Sequence, residues 1–448
     1  MLACGLRGLL QFRHSTAAIT GLSSLTTTLV RNAGRALASG PAAGRSAVTM
    51  PRNKAPRWRW CIGGVGIGMV TVAIGKLLTL APSVAERPYV LGPGRWFTQV
   101  LSAITGSVPF SAAEILLALF LCWPFLPAVP AVIDSVRRRR SAGNVVACGF
   151  ARTTGTLGLV VASFYLVWGF NYARAPLPLR QGWDDTGLPV LPRLGTANDR
   201  DELVTLCTEL VFLSNHYYTV ATGTPESLRR SELPCPVQEI DHSLDTGFIR
   251  ASGILGLGDA FAAARGPAKP IFASRLMSKL GVAGFYAPWT GEANYNAEIP
   301  PFQLPLTIAH EKAHQRGIAS EDEANFFGFL ACGSTDDPYA RYAGYLFAQR
   351  QLLNELIQID PPAARTIIAL RCKGVQSDVI YSKVFWRILG GRAQSLGHTI
   401  NDAYLKANRV QGGALSYQMS ARLLILFARQ NGGTLTVPLA STFPHESG

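Results

Sequence analysis

The strongest constraint on this chain is a set of apolar runs as long as a bilayer is thick. Cys61–Ala81 carries one charged residue, Lys76, and spans the roughly 20 residues a helix needs to cross a hydrocarbon core. Lys76 lies near its end, where the stem can carry the ammonium back to the surface. Ile115–Ile133 is a second predicted span, bent by Pro124, Pro127 and Pro130. The third runs from about Ala147 to Phe170, with Arg152 near its start and Tyr165 and Trp168 at its exit as interfacial anchors. Such segments must satisfy their own backbone polar groups, which makes them helices. Gly63, Gly64, Gly66 and Gly68 mimic a dinucleotide fingerprint. No strand precedes them and no acidic residue follows at the right distance, so they predict close helix packing instead.

Charge gives the spans an orientation. The net charge is +14, and residues 1–170 hold all of it, with 17 Lys and Arg against 3 Asp and Glu. The remaining 278 residues balance at 25 of each sign. An excess confined to the apolar region marks membrane topology rather than a nucleic-acid face, so no nucleic-acid partner is expected. Arg57 and Arg59 precede the first span and Arg137–Arg140 separate the second from the third. The N-terminus and that cluster are therefore expected in the cytoplasm, and everything after about Asn171 beyond a bacterial inner membrane.

Four regions follow. Residues 1–58 are basic, with no Asp or Glu before Glu86. They resemble an organelle transit peptide or a start codon placed too early, with Met50 the alternative, and are predicted to be disordered. Residues 59–171 form the three-span region, 172–200 a linker rich in Pro, Gly and Asp, and 201–448 an extracytoplasmic domain. There Glu202–Ser214 and Tyr342–Ile359 have helical apolar spacing. Cys207, Cys235, Cys332 and Cys372 fall in this domain without CxxC spacing, leaving disulfide and free thiol both open and arguing against a cysteine metal site.

The chemistry concentrates in His310-Glu311-Lys312-Ala313-His314. On a helix, positions i and i+4 share a face, so two imidazoles can hold one Zn²⁺, and Glu311 between them can take a proton from a water. Leu304, Leu306, Ile308 and Ala309 start that helix, Pro305 suits its first turn and Gly317 its end. Ser320 then caps a second helix, Glu321-Asp322-Glu323-Ala324-Asn325, with Glu323 completing a capping box. Zinc peptidases of the thermolysin-like and membrane CAAX-processing kinds carry ExxxD after HExxH. The resemblance makes Glu321 the third ligand and Asn325 the group that orients a metal-bound His, Asn standing where those enzymes have Asp. Glu323 is the alternative ligand. Gly317 also resembles a metzincin turn, but the third metzincin ligand would then be Ser320, which does not bind zinc.

Around these motifs the chain resembles an uncharacterised family of bacterial integral membrane proteins, a domain of unknown function regarded as zinc-peptidase-like. The matching pieces are Val-Pro-Phe-Ser (108–111), Trp-Gly-Phe-Asn-Tyr-Ala-Arg (168–174), Pro-Trp-Thr-Gly-Glu-Ala (288–293), the segments 310–317 and 321–326, Asn-Asp-Ala-Tyr-Leu-Lys (401–406) and Gly-Ala-Leu-Ser-Tyr (413–417). The resemblance runs from about Val84 to Arg429. It implies a mainly α protein: three transmembrane helices, then a mostly helical zincin-like extracytoplasmic domain with a small β element. The expected activity is hydrolysis of a peptide or protein substrate; the alternative is a non-enzymatic membrane protein with a structural zinc or an envelope-binding role. A transporter is disfavoured, because three spans with few intramembrane charges offer no path. Thr290–Ile299 is the candidate substrate-pairing edge strand, with an ordinary loop the alternative, and His398, Tyr404 and Tyr417 are candidate oxyanion donors. His216 and His242 are expected on the surface or in the core.

Overall fold

The computed structural model describes residues 56–123, 142–183, 197–227, 231–389 and 416–439. The predicted disorder of residues 1–58 and the alternative start at Met50 thus concern residues that lie, up to Ala55, outside the described ones. The longer elements are α1 (Pro56–Leu78), α2 (Arg95–Gly106), α3 (Ala112–Cys122), α4 (Ala142–Val167), α5 (Ala197–Thr222) and α6 (Val237–Ile254). Strands β1 (Lys269–Pro270), β2 (Gly284–Ala287) and β3 (Glu292–Tyr295) follow, then α7 (Leu304–Gln315), α8 (Glu321–Gly333), α9 (Pro338–Ile359), α10 (Pro361–Ala369) and α11 (Ser416–Gln430). The protein is mainly helical, with one small sheet.

Among the described residues two helices, not the three expected, are long and apolar enough to cross a bilayer: α1 over Trp58–Leu78 and α4 over Gly149–Val167. The expected second span begins as α3, an apolar helix of 11 residues, and its residues 124–133 lie outside the described ones. Helices α1 and α4 meet through glycine. A Cβ on Gly64 would come 2.1 Å from the Gly155 carbonyl oxygen, and one on Gly68 would come 2.7 Å from that of Gly158. Gly75 receives the ring of Tyr165. Numbers rise together along both helices, so they pack parallel. Gly63 and Gly66, which the sequence groups with these, face open space.

Apolar side chains of α5, α6, α7, α8, α9 and α11 form one buried core, with Phe326, Phe327, Phe329 and Phe427 among its largest members. The expected helices over Glu202–Ser214 and Tyr342–Ile359 are longer than their apolar spacing indicated, because Asp337 caps α9 four residues earlier than Arg341 and α5 extends from Ala197 to Thr222. The first part of the expected linker is packed rather than free: Arg174 pairs with Glu86, Arg180 with Glu323, and Trp183 lies edge-on to Phe326. Cys207, Cys235, Cys332 and Cys372 are all free thiols.

The sheet runs β1-β3-β2, with β1 parallel and β2 antiparallel to β3. The strand expected at the edge, within Thr290–Ile299, is β3, and it is central; the edge beside α7 is β2. The local pattern could not decide this, because the pairing of Lys269 with Asn294 joins residues far apart in the chain. A buried ion pair fastens the sheet to α3. Lys269 Nζ reaches Glu292 at 2.6 Å, and the Glu292 carboxylate accepts the first N–H groups of α3 from Ala112 and Ala113. The matching segments 108–111 and 288–293 are thus two sides of one joint.

Candidate metal centre

Pro305 in the first turn of α7 leaves no unsatisfied amide there. Gly317, at φ +81°, then reverses the chain where a side chain would be strained. Ser320 starts α8 three residues later, its Oγ accepting the N–H of Glu323. This short turn brings the side chains of His310, His314 and Glu321 together, with one ligand atom of each lying within 4.8 Å of the others.

The imidazoles are held in a defined sense. His314 Nδ1–H donates to the Ile318 carbonyl at 2.6 Å, an acceptor that leaves Nδ1 no other role. His310 Nδ1 meets Asn325 Oδ1 at 2.9 Å. Both Nε2 atoms then face inward, 3.0 Å apart, with Glu321 oxygens 3.2 Å from His310 Nε2 and 3.7 Å from His314 Nε2. Ligand atoms around a tetrahedral zinc stand about 3.3 Å apart, from bonds of about 2.0–2.2 Å. Two inward lone pairs beside a carboxylate are the donor set that metal prefers, so these residues fit it.

Glu323, the alternative ligand, is engaged elsewhere. Its carboxylate accepts the Leu177 N–H at 2.6 Å and pairs with Arg180 at 2.5 Å. The capping box is therefore half-formed: Ser320 caps α8, and the Glu323 carboxylate pins the chain leaving α4.

Several contributors were not visible in the motif. Ser420 of α11 accepts from Asn325 Nδ2 and donates to Asp322, so a residue far along the chain steadies the Asn that holds His310. Only the nearby segment 413–417 signalled that α11 mattered. Trp168, expected as an interfacial anchor, is buried instead and donates Nε1–H to the His314 carbonyl at 3.3 Å. Its partner is an element 146 residues away, which hydropathy cannot show. Gly284 of β2 lies against the Glu311 carboxylate, where a Cβ would come 2.8 Å from Oε1. His216 and His242 are exposed. His398, Tyr404 and the side chain of Tyr417 lie outside the described part of the structure.

Burial pushes Glu311 up from its ordinary 4.5 to about 7; the two histidines oppose this and Glu321 adds to it. Burial works against charge on His314, yet Glu321 beside it prevails and holds it at about 9. Glu321 is lowered: burial resists, and the two histidines outweigh it. A histidine raised above its ordinary value stabilises the metal-free fold fully below pH 6.5 and loses that contribution as pH rises through about 9. Metal binding needs the neutral imidazole. Zinc affinity, measured by competition with a chromophoric chelator, is therefore expected to climb about tenfold per pH unit before levelling near pH 9. A flat profile would remove His314 from the ligand set.

Over residues 89–425 the chain matches the family described as "Protein of unknown function (DUF3810)". No curated protein and no solved structure matches it.

Proposed function

Since the chain belongs to this family of unknown function, its activity has to be read from the site, and we propose that it is a membrane-anchored zinc peptidase. Its ligands are His310, His314 and Glu321, and Glu311 is its general base. The observation that carries this is the convergence of two inward Nε2 atoms and one carboxylate behind an HExxH helix. Three protein ligands leave a coordination position open, as catalytic zinc sites do and structural ones do not. When bound, zinc supplies Lewis acidity, polarising a carbonyl and making a water easier to deprotonate. Glu311, buried and poised near neutrality, takes that water's proton on its carboxylate and can return it to the leaving amine. The free edge of β2 offers backbone groups for an extended peptide, and Gly284 keeps that edge close to Glu311.

Exposure supports the membrane anchoring. Only 28% of the apolar window in α1 and 22% of that in α4 is buried, whereas a soluble core helix buries most of its surface. Ile62, Met69, Val70 and Leu77 stand outward on α1, as lipid-facing side chains do. The two spans pack parallel, so both run across the membrane in the same sense, and α4 alone separates Ser141 from the chain that follows Val167. Reporter fusions after Ser141 and after Gly448 are expected on opposite sides, the C-terminal one outside. Finding both on one side would remove α4 as a membrane span.

The metal assignment has its own test. Elemental analysis should find one zinc per wild-type chain and little in His310→Ala or His314→Ala. Glu321→Gln should weaken zinc binding, whereas Glu323→Gln should keep zinc and lower thermal stability, because the amide leaves one acceptor for Leu177 and removes the charge that pairs with Arg180. Unchanged zinc in His310→Ala would reduce the motif to a helical coincidence.

A further inference from the structure

Just past the end of α7 lies a cavity of about 370 Å³ lined by Arg95, Arg174, Arg180, Arg265 and Arg316, with Glu86 the one carboxylate in its wall. Three of the guanidinium groups are paired: Arg174 with Glu86, Arg180 with Glu323, and Arg316 with Asp245. Asp245 is shared with Lys312, which also holds Asp241. Among the described residues no carboxylate pairs with Arg95 or Arg265; Arg265 spends its terminal nitrogens on the carbonyls of Ala263 and Ala260. Over the wall and its direct partners, five cations face three carboxylates, and the Lys312–Asp241 pair beyond Asp245 leaves that excess unchanged. The Nε–H groups of Arg95, Arg265 and Arg316 are buried without an acceptor, and the Arg316 side chain has no exposure at all. Burial, with Arg316 and Arg95 adding, pushes Arg265 down to about 10. A wall with excess positive charge is incomplete without an anion.

We propose that this cavity is a binding site for a phosphate group. Guanidinium forks match phosphate oxygens in pairs, and a phosphate would balance the excess charge. The surroundings favour a phosphate presented by a lipid headgroup, a preference that rests on the membrane reading above. The wall is built partly from the turn Glu86–Gly94 and from α2, close after the end of α1. Helix α2 buries Thr98 and Ser102 and turns Trp96 and Ile104 outward, the reverse of a helix bathed in water and the pattern of one lying at a bilayer surface. Leu91 lines the cavity and is 53% exposed, so the cavity reaches the outside beside that face.

The test uses the full chain, wild type, Arg265→Gln and Arg95→Gln, in neutral detergent and in phosphatidylcholine nanodiscs with or without phosphatidylglycerol. The probes are inorganic phosphate, titrated against chloride at constant ionic strength, and the anionic lipid. Wild type should gain thermal stability from at least one probe and not from chloride, and each variant should need at least about tenfold more of it, as expected when a charged hydrogen-bond partner is lost. The ligand-free unfolding temperature of Arg265→Gln should hold or rise, since an uncompensated buried cation is gone; a purely structural arginine would lower it. A response to phosphatidylglycerol alone assigns the site to a headgroup, and one to inorganic phosphate alone to a soluble phosphate compound; both uphold it. No response in wild type, or variants that respond as strongly as wild type, would overturn it. Should Arg265→Gln not fold, Arg95→Gln in the same wall carries the same comparison. His310→Ala should keep the phosphate response while losing zinc, so this site and the metal centre can fail separately.

Discussion

Glu311→Gln is expected to retain zinc and to lower peptide hydrolysis by roughly a hundred- to ten-thousandfold, the usual effect of removing a positioned general base. Glu311 follows His310 by one position, about 100° around the helix, so it stands aside from the ligand cluster, 5% exposed beneath Gly284. Gln keeps its shape and removes its basicity. Stability should not suffer. A carboxyl whose folded pKa is raised opposes folding once ionised, so this penalty grows as pH rises from 4.5 through about 7 and vanishes in the amide. The variant should thus be at least as stable as wild type at neutral pH, as when a residue serves function at the fold's expense. Zinc content and cleavage of a peptide library by detergent-solubilised protein decide the matter. Full activity in Glu311→Gln would assign the base elsewhere. Wild type that holds zinc and cleaves nothing would favour a structural zinc.

The next residue should behave in the opposite way. Lys312 occupies a variable position of HExxH, yet its side chain is wholly buried, with Nζ 2.7 Å from Asp241 and 3.0 Å from Asp245. Arg316 joins them, pairing with Asp245 and lying 4.0 Å over the ring of Phe248. Lys312→Met fills the same space and strands Asp241, while Asp245 keeps Arg316, so a loss of about 3–5 kcal/mol is expected, a large part of the roughly 5–15 kcal/mol that holds a domain together. Denaturant unfolding measures it directly. Adding Asp241→Asn should recover part of the loss, because one stranded charge is gone. A Lys312→Met protein as stable as wild type would mean that the pair contributes nothing net.

These neighbours show what was legible in the sequence and what was not. The i, i+4 histidines, the cap at Ser320 and the spacing to Glu321 are local quantities, and the helix periodicity carries them into three dimensions without help. The role of Lys312 is not local: nothing in HExxH distinguishes a solvated lysine from one that neutralises α6. The choice between Glu321 and Glu323 needed the position of Arg180, and the support of His310 needed Ser420, both far away along the chain. Hydropathy marked α1 and α4 correctly as long apolar helices, but it read Trp168 as a surface anchor because a tryptophan at a helix end looks the same whether lipid or protein surrounds it. The sheet order was hidden for the same reason.

The bridge from Ser420 through Asn325 to His310 also sets a schedule. A ribosome adding about 5–20 residues per second makes α7 and α8 many seconds before α11. Until α11 arrives, the Asn that orients His310 lacks its support, and the core lacks Phe427 and its neighbours. On the peptidase reading proposed above, a centre assembled in this order stays dormant during its own synthesis, and a chain released early carries the ligand motif without the supported centre. On that same reading the late serine is a proof of completeness, guarding the half-made protein and its neighbours from premature cutting.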